Sequence, residues 1–541
     1  MAVELIIKYS GDILAAAERL QAIAEILSEN FAILTVDEQM LPHLNEYKEI
    51  EYIEWPKGIS LNIAESSYHA CIPQAQAAYG LTGKGVIAAF IDSGIDYTHP
   101  DFINTDGSTR IVRLWDMGAS GAPPSGFKSG HLYSSDELNK ALNSANPLSV
   151  IPQIDTIGHG TAVAAVAAGN GRSASAEKGA AYEADIVAVK LSRGGNVNSA
   201  RTIELMRALK FISDTAYEMH LPCAVNISFG TNEGAHDGSS LFEQYVDEIA
   251  GKTGISIVVA AGNEGSSGHH FSANLPTGFA RSVEFAVSGG ISAMYIVMWK
   301  DFVDDFTLEL ISPTGSTSGI VRSADKEKMI NMSGTKVYIN MGQPTHYNVD
   351  QEIFIQMMGV MEGNWRLNIV SISSVVGDFH IWLPTLEEVG RGTAFARPTT
   401  DATITMPATA QDVISVGAYD AARDAIAEFS GHGFIPEYSG GQGRIKPDIV
   451  APGVNVLSAA AGGGYDAFSG TSIAAPFVTG AAVLMMEWGI IKGNDPGMYG
   501  QRLKAYLRLG ASRTAGRDYP NEIWGYGRLC VKASIDAASG R

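Results

Sequence analysis

A chain of 541 residues is too long for one simple core, and the length favours two or three domains. With 45% hydrophobic residues, 18% charged residues and 59 glycines it reads as a packed, turn-rich protein, which excludes a disordered chain. Lysine plus arginine number 38 against 58 acids, a formal charge of −20, so neither nucleic acid nor an anionic membrane is expected as an electrostatic partner, and partners should be neutral or basic.

Cys71, Cys223 and Cys530 are far apart and show no CxxC spacing, so no disulfide framework is expected and a reducing compartment fits best. The start lacks a basic region before an apolar run, so no secretory signal is expected. The longest apolar stretch, Ile473 to Trp488, carries Pro, Thr, Gly and Glu and falls short of about 20 spanning residues, so no transmembrane segment is expected.

Residues 2 to about 9 read as a strand, and Asp12 then precedes a segment whose Ala16, Leu20, Ile23 and Leu27 share one helical face. Phe31 to Val36 reads as a second strand, Pro42 as the first turn of a short helix, and Ile50 and Tyr52, alternating with Glu51 and Glu54, as a third strand. These make a small α+β domain over residues 1–66, and Pro56 to about Gln76, without periodicity, reads as a linker. From Gly85 continuous apolar runs of strand length alternate with helical ones, the grammar of an α/β doubly wound, mostly parallel sheet. The strands are Val86 to Ile91, Ile186 to Leu191, Ala224 to Phe229 and Ile255 to Ala261; the helices are Thr161 to Ala168, Ala200 to His220 and Ser472 to Ile490. Between 268 and 403 short alternating segments replace this pattern: Met294 to Trp299, Phe306 to Ile311, Glu352 to Met357 and Trp365 to Ile369. They predict an inserted antiparallel β domain, a sandwich, and the α/β grammar resumes with Val413 to Gly417, so residues 67–267 and 404–541 form one domain in two parts.

Three segments place a reactive side chain at the edge of a buried element. A strand ends abruptly in Asp92-Ser93-Gly94, holding a carboxylate at the end of the sheet. His159 precedes a small-residue helix whose Gly160 and Ala162 allow close approach. Ser472 opens an apolar helix, where free amides and the helix dipole favour negative charge. A serine hydroxyl needs a base, and the base needs an orienting acid, so Ser472, His159 and Asp92 form a candidate nucleophilic set. A buried strand ending in Asn263 supplies an amide that, with the Ser472 backbone N–H, would make an oxyanion hole.

These segments resemble those of subtilisin-like serine proteases, in the order Asp, His, Ser. Asp92-Ser-Gly, His159-Gly-Thr, Asn263 and Gly470-Thr-Ser472-Ile-Ala-Ala-Pro476 carry the resemblance, over about 85–267 and 404–535. It implies that Asn226 to Gly230, with Ser228, Phe229 and Gly230 at its end, pairs with an extended peptide, and that Ala260, Ala261 and Gly262 line the other side of the first specificity pocket. It also implies a serine endopeptidase acting on protein or peptide; proteases of this kind often bind calcium, but Asp96 and Asp101 lie in no contiguous acidic loop, so neither metal nor cofactor is expected. The N-terminal domain is similar to the propeptides of such proteases, with autocleavage between about 56 and 72. The insertion resembles clostridial Csp germination proteases, whose members carry a jelly-roll domain and keep the prodomain bound. That narrower resemblance implies a bacterial protein, cytoplasmic or spore-associated, whose target is a spore cortex hydrolase zymogen; a degradative role is equally compatible with the residues.

The alternative from another class is a pseudoprotease or germinant sensor, against which the retained Asp92, His159 and Ser472 argue. An α/β-hydrolase esterase lacks a Gly-x-Ser-x-Gly elbow at Ser472. His99 reads as structural, Asp96 and Asp101 as solvated loop carboxylates, and Cys223 and Cys530 as core residues. His269 and His270 sit in a Gly-Ser loop with no matching metal-ligand set.

Overall fold

The computed structural model describes residues 2–26, 30–54, 65–174, 178–192, 201–345, 348–434 and 444–540. They fall into two compact units, Met1–Asn62 and Ile63–Arg541.

The first unit is a four-stranded antiparallel sheet in the order Ile23–Ile26, Phe31–Asp37, Ala2–Tyr9, Ile50–Glu54. Helix Ile13–Arg19 is capped by Asp12, which accepts from the Ala15 N–H at 3.0 Å, and buries Ile13 and Ala16 against Leu5, Ile7 and Leu34. The expected longer helix is corrected here: Gln21, at φ 53°, turns the chain, and Ile23 starts a strand that the sequence reading did not anticipate. Leu27 lies outside the described residues. Pro42 sits inside a 3-10 turn, Glu38–Glu46, and not in a first helical turn.

In the second unit six parallel strands run in the order Ile449–Pro452, Ile414–Asp420, Ile255–Ala260, Cys223–Ile227, Ile87–Asp92, Asp185–Lys190, followed by parallel Ile111–Asp116 and antiparallel His131–Ser134 at one edge. Helices His159–Ala168 and Thr471–Met486 cover one face and Thr202–Met219 and Leu241–Ala250 the other, which is why these strands are apolar on both sides. Helix Thr471–Met486 continues through a π turn to Ile491. The resulting 21 residues exceed the expected length and are apolar enough to cross a membrane, but 94% of that stretch is buried inside the protein, as in a core helix.

The expected linker is corrected in its second half, since helices Glu65–His69 and Ile72–Tyr79 occupy it and bury Ile72 and Ala75; residues 55–64 lie outside the described set. Cys71 and Cys530, expected as unpaired, form a disulfide with Cα atoms 4.8 Å apart, although the two lie 459 positions apart in sequence. Only the fold brings the starts of helices Ile72–Tyr79 and Val531–Ala538 together, so no local spacing announced the pair. Cys223 is a buried free thiol whose pKa burial pushes up, holding it neutral.

Between the two halves of this sheet, His270–Phe395 forms a six-stranded and a four-stranded antiparallel sheet. Their inward residues, among them Ile296, Met298, Phe306, Leu308, Trp365 and Phe379, share one core.

Candidate active site

Asp92 ends strand Ile87–Asp92 at 2% exposure, and its Oδ1 accepts from His159 Nδ1 at 2.7 Å and from the Ser93 N–H at 2.6 Å. His159 is the first residue of its helix. That helix begins where it does because Asp155 accepts from the Gly158 and Thr161 N–H groups and the Thr161 hydroxyl, at 3.0, 2.9 and 2.7 Å. Ser93 completes the joint: its hydroxyl donates to Asp155 at 2.7 Å and accepts from the Gly160 N–H at 2.8 Å. Gly160 permits the approach, because a Cβ there would lie 2.1 Å from the Gly94 carbonyl oxygen.

Ser472 occupies the first turn of helix Thr471–Met486, half-buried. Pro476, inside that helix, has no N–H to give the Ser472 carbonyl, which instead accepts from the Ser228 hydroxyl at 3.1 Å. Asn226 donates to Ser228 at 2.8 Å and accepts from Thr479 at 2.9 Å, so the substrate-pairing segment and the serine helix are tied directly.

Asn263 is fixed through its oxygen, which accepts from the Thr471 N–H at 3.0 Å and the Thr471 hydroxyl at 3.1 Å; this sets the amide orientation and leaves Nδ2 as the donor. Gly470 stands at φ 151°, and a Cβ there would lie 2.9 Å from Ser472 Oγ and 3.7 Å from both Asn263 Nδ2 and the Ser472 nitrogen. Two N–H donors and a hydroxyl thus converge beside a residue without a side chain, the geometry an oxyanion would occupy.

Of the expected pocket residues, Ala260 and Ala261 are buried, and Ala261 exchanges backbone bonds with Val416 and Thr405 at 2.9 and 3.0 Å. Gly262, at φ 96°, donates to the Thr471 hydroxyl at 3.1 Å. Phe229 is half-buried against the helices of the second face, and Gly230 lies where a Cβ would be 2.3 Å from Thr405 Oγ1.

His99 is buried, its Nε2 facing the Gly464 carbonyl at 3.1 Å, in a packing role. Asp101 is not solvated as expected: it is fully buried, accepting from Ser173 and, at 2.5 Å, from Tyr465. Asp96 is half-buried and accepts from the Gly462 N–H at 2.9 Å. His269 and His270 do not lie in an open loop either. His269 is 1% exposed, with Nδ1 facing Glu264 Oε2 and Nε2 facing the Thr393 carbonyl, both at 2.7 Å. His270 stacks with His380 and Trp382.

Sequence reasoning missed Asp155, Thr471, Glu264 and Glu387. An acid four residues before His159 and a hydroxyl beside Ser472 were visible signals for the first two. Glu387, from short helix Leu386–Val389 of the inserted domain, accepts from Asn263 Nδ2 at 3.2 Å, and nothing in its local sequence marks it.

A parallel sheet covered on both faces, with an acid–imidazole pair and a helix-opening serine at its carboxyl end, defines a chain of the subtilase class. The chain belongs to the subtilase family, which matches residues 83–295 and 308–527; the Csp protease B prodomain matches residues 1–57. In structure it is similar to the CspB protease of Clostridium perfringens, with a TM-score of 0.81 and 36% identity, over 88% of this chain and 97% of that one. The PII-type proteinase of Lactococcus lactis subsp. cremoris is 24% identical over 557 residues, 92% of this chain but 28% of the relative. The membrane-bound transcription factor site-1 protease of Mus musculus is 47% identical over 86 residues, 16% of this chain and 8% of the relative.

Proposed function

We propose that the protein is a serine endopeptidase that uses Asp92, His159 and Ser472 and processes its own N-terminal domain. The observation that carries this is the 2.7 Å Asp92–His159 bond at the end of the sheet, in a chain whose Ser472 and Asn263 Nδ2 both stand beside Gly470. With Nδ1 donating to Asp92, the tautomer leaves Nε2 to take the Ser472 proton as Oγ attacks the scissile carbonyl. The carbonyl oxygen gains charge against Asn263 Nδ2 and the Ser472 N–H. Nε2 then returns the proton to the departing amine, and water releases the acyl group by the reverse sequence.

The first substrate is the chain itself. Within the expected window of 56 to 72, Glu65–His69 is helical, and an active site of this kind takes its substrate extended, so we place the cut ahead of Glu65. The Csp resemblance extends the proposal to a spore cortex hydrolase zymogen as the external target and to a prodomain that stays bound after cleavage. Intact mass is the test: wild-type protein should appear as two fragments and Ser472→Ala as one full-length chain. A fluorophosphonate probe should label Ser472 in the processed form. A full-length, unlabelled wild-type protein would overturn the reading in favour of a sensor.

A further inference from the structure

Asn263 Nδ2 carries two hydrogens, and beside the one a developing oxyanion requires, the nitrogen already has an acceptor, Glu387 Oε1 at 3.2 Å. This carboxylate comes from the inserted domain, 124 residues further along the chain. Its backbone is pinned. The Leu386 N–H donates to Glu264 Oε1 at 2.9 Å, and Glu264 is the residue after Asn263, itself buried against His269. On the other side, Glu388 Oε2 accepts from the Thr385 N–H and hydroxyl at 3.0 and 3.1 Å. One bond thus ties the turn to the residue after the oxyanion donor and its own cap holds its shape, while the exposed Glu387 side chain is the part that can swing away.

A carboxylate is a stronger acceptor than a peptide carbonyl, so in the resting site it fixes the amide and places a negative charge beside the hydrogen left for the substrate. In the transition state the conflict grows, because two anionic oxygens then face one amide nitrogen and repel. Further carboxylates stand around this turn. Burial pushes Glu233, Glu352 and Glu388 above the usual carboxyl range; a neighbouring carboxylate adds to the rise in the first two, while the Thr385 hydrogen bonds pull Glu388 back. A cation carried by the substrate would relieve the conflict.

We propose that Glu387 is a specificity-determining residue of the peptidase reaction: it holds a negative charge against the Asn263 amide until a substrate with lysine or arginine at the residue supplying the scissile carbonyl pairs with it. Such a side chain is long, flexible and anchored one bond from the carbonyl carbon that Ser472 attacks. Its ammonium or guanidinium neutralises Glu387 and draws it off Nδ2, so the cation's binding energy appears in the chemical step as a higher kcat. The proposal rests on the Asp92–His159–Ser472 reading above, and it concerns which substrates that site turns over.

The test uses the full-length chain after self-processing, with the concentration of active sites counted by fluorophosphonate labelling. Two peptides differ only at the residue before the cut, lysine in one and norleucine, of similar length but uncharged, in the other. Wild-type enzyme should favour the lysine peptide about tenfold in kcat/KM, carried mainly by kcat, a size set by one partly exposed charge near the reacting oxygen. Glu387→Gln keeps an acceptor for Asn263 without the charge; it should raise kcat on the norleucine peptide and bring the ratio close to one. Glu387→Ala should do the same. An active, labelled wild-type enzyme with no preference for lysine, or a preference that survives both substitutions, overturns this proposal alone. Absence of label in wild type overturns it together with the peptidase reading.

Discussion

Gly160→Ala isolates the contact that sets the acid–imidazole pair. The added Cβ would lie 2.1 Å from the Gly94 carbonyl oxygen, 3.0 Å from Asp92 Cβ and 3.1 Å from Asp92 Oδ1. An ordinary carbon–oxygen contact is about 3.3 Å, so the start of the His159 helix must retreat by about 1 Å. That displacement acts on a hydrogen bond now 2.7 Å long and takes it past useful reach. A misplacement of about 1 Å costs on the order of 100-fold in rate, and the overpacking itself costs about 1–3 kcal/mol of stability. Gly480→Ala separates the two effects. Its Cβ would meet Ala180 Cβ at 2.5 Å and the Ala167 carbonyl at 3.0 Å, near the end of the His159 helix opposite to the imidazole. Both variants should melt lower than wild type. Per labelled active site, Gly480→Ala should keep wild-type kcat/KM on a chromogenic peptide while Gly160→Ala loses it. A folded Gly160→Ala enzyme within about threefold of wild type would show that Asp92 and His159 do not depend on this approach.

Asn263→Ala should lower kcat by about 100- to 1,000-fold with little change in KM, the scale established for the equivalent donor in subtilisin; an effect confined to KM would remove Asn263 from the oxyanion site. Cys71→Ser should destabilise the oxidised protein by about 2–4 kcal/mol in urea titration, the usual range for a disulfide, and three titratable thiols in unreduced wild type would contradict the Cys71–Cys530 pairing. Burial lowers the ionisation of His236, His270 and His380, the last to about 4, so the fold favours their neutral forms. The unfolded chain binds these protons first; the stability they support is complete above about 6.5 and is lost as pH falls toward 4. For His380 alone, 2.5 pH units correspond to about 3 kcal/mol, so urea midpoints should fall between pH 7 and pH 4.5, and His380→Gln should flatten that slope.

What the sequence made legible follows from what leaves a local mark. Buried parallel strands such as Ile87–Asp92 and Ile255–Ala260 read as unbroken apolar runs because both faces are covered. Asp92, His159, Asn263 and Ser472 stood out because each breaks such a run at an element's edge. The fold then joins them in two places: Asp92 to His159, and Asn263 to the residue preceding Ser472. The misses have the opposite character. Helices Glu65–His69 and Ile72–Tyr79 are short, with few apolar positions, so periodicity had nothing to register. Cys71 meets Cys530, and Glu387 meets Asn263, through tertiary structure alone. Asp101 looked like a solvated loop acid because its partners, Ser173 and Tyr465, come from segments distant in sequence.

The location of the insertion gives it leverage over chemistry. It departs from the chain just after Asn263 and returns just before Thr405, two segments that the α/β domain already stitches together: Thr405 donates to the Ala261 carbonyl at 3.0 Å and Gly431 to the Gly262 carbonyl at 2.8 Å. His269 bridges the departing segment to the returning one through Glu264 and Thr393, both at 2.7 Å. Asn232, three residues beyond the pocket strand's Phe229, adds a third tie by donating to the Leu383 carbonyl at 3.0 Å. A domain hung elsewhere on the sheet could move without touching the oxyanion donor. Here a shift of helix Leu386–Val389 pulls on Glu264 and, through one peptide unit, on Asn263. His269→Ala should therefore lower kcat more than it raises KM even though His269 contacts no substrate, whereas a rise in KM alone would show that the tie holds the pocket and not the donor.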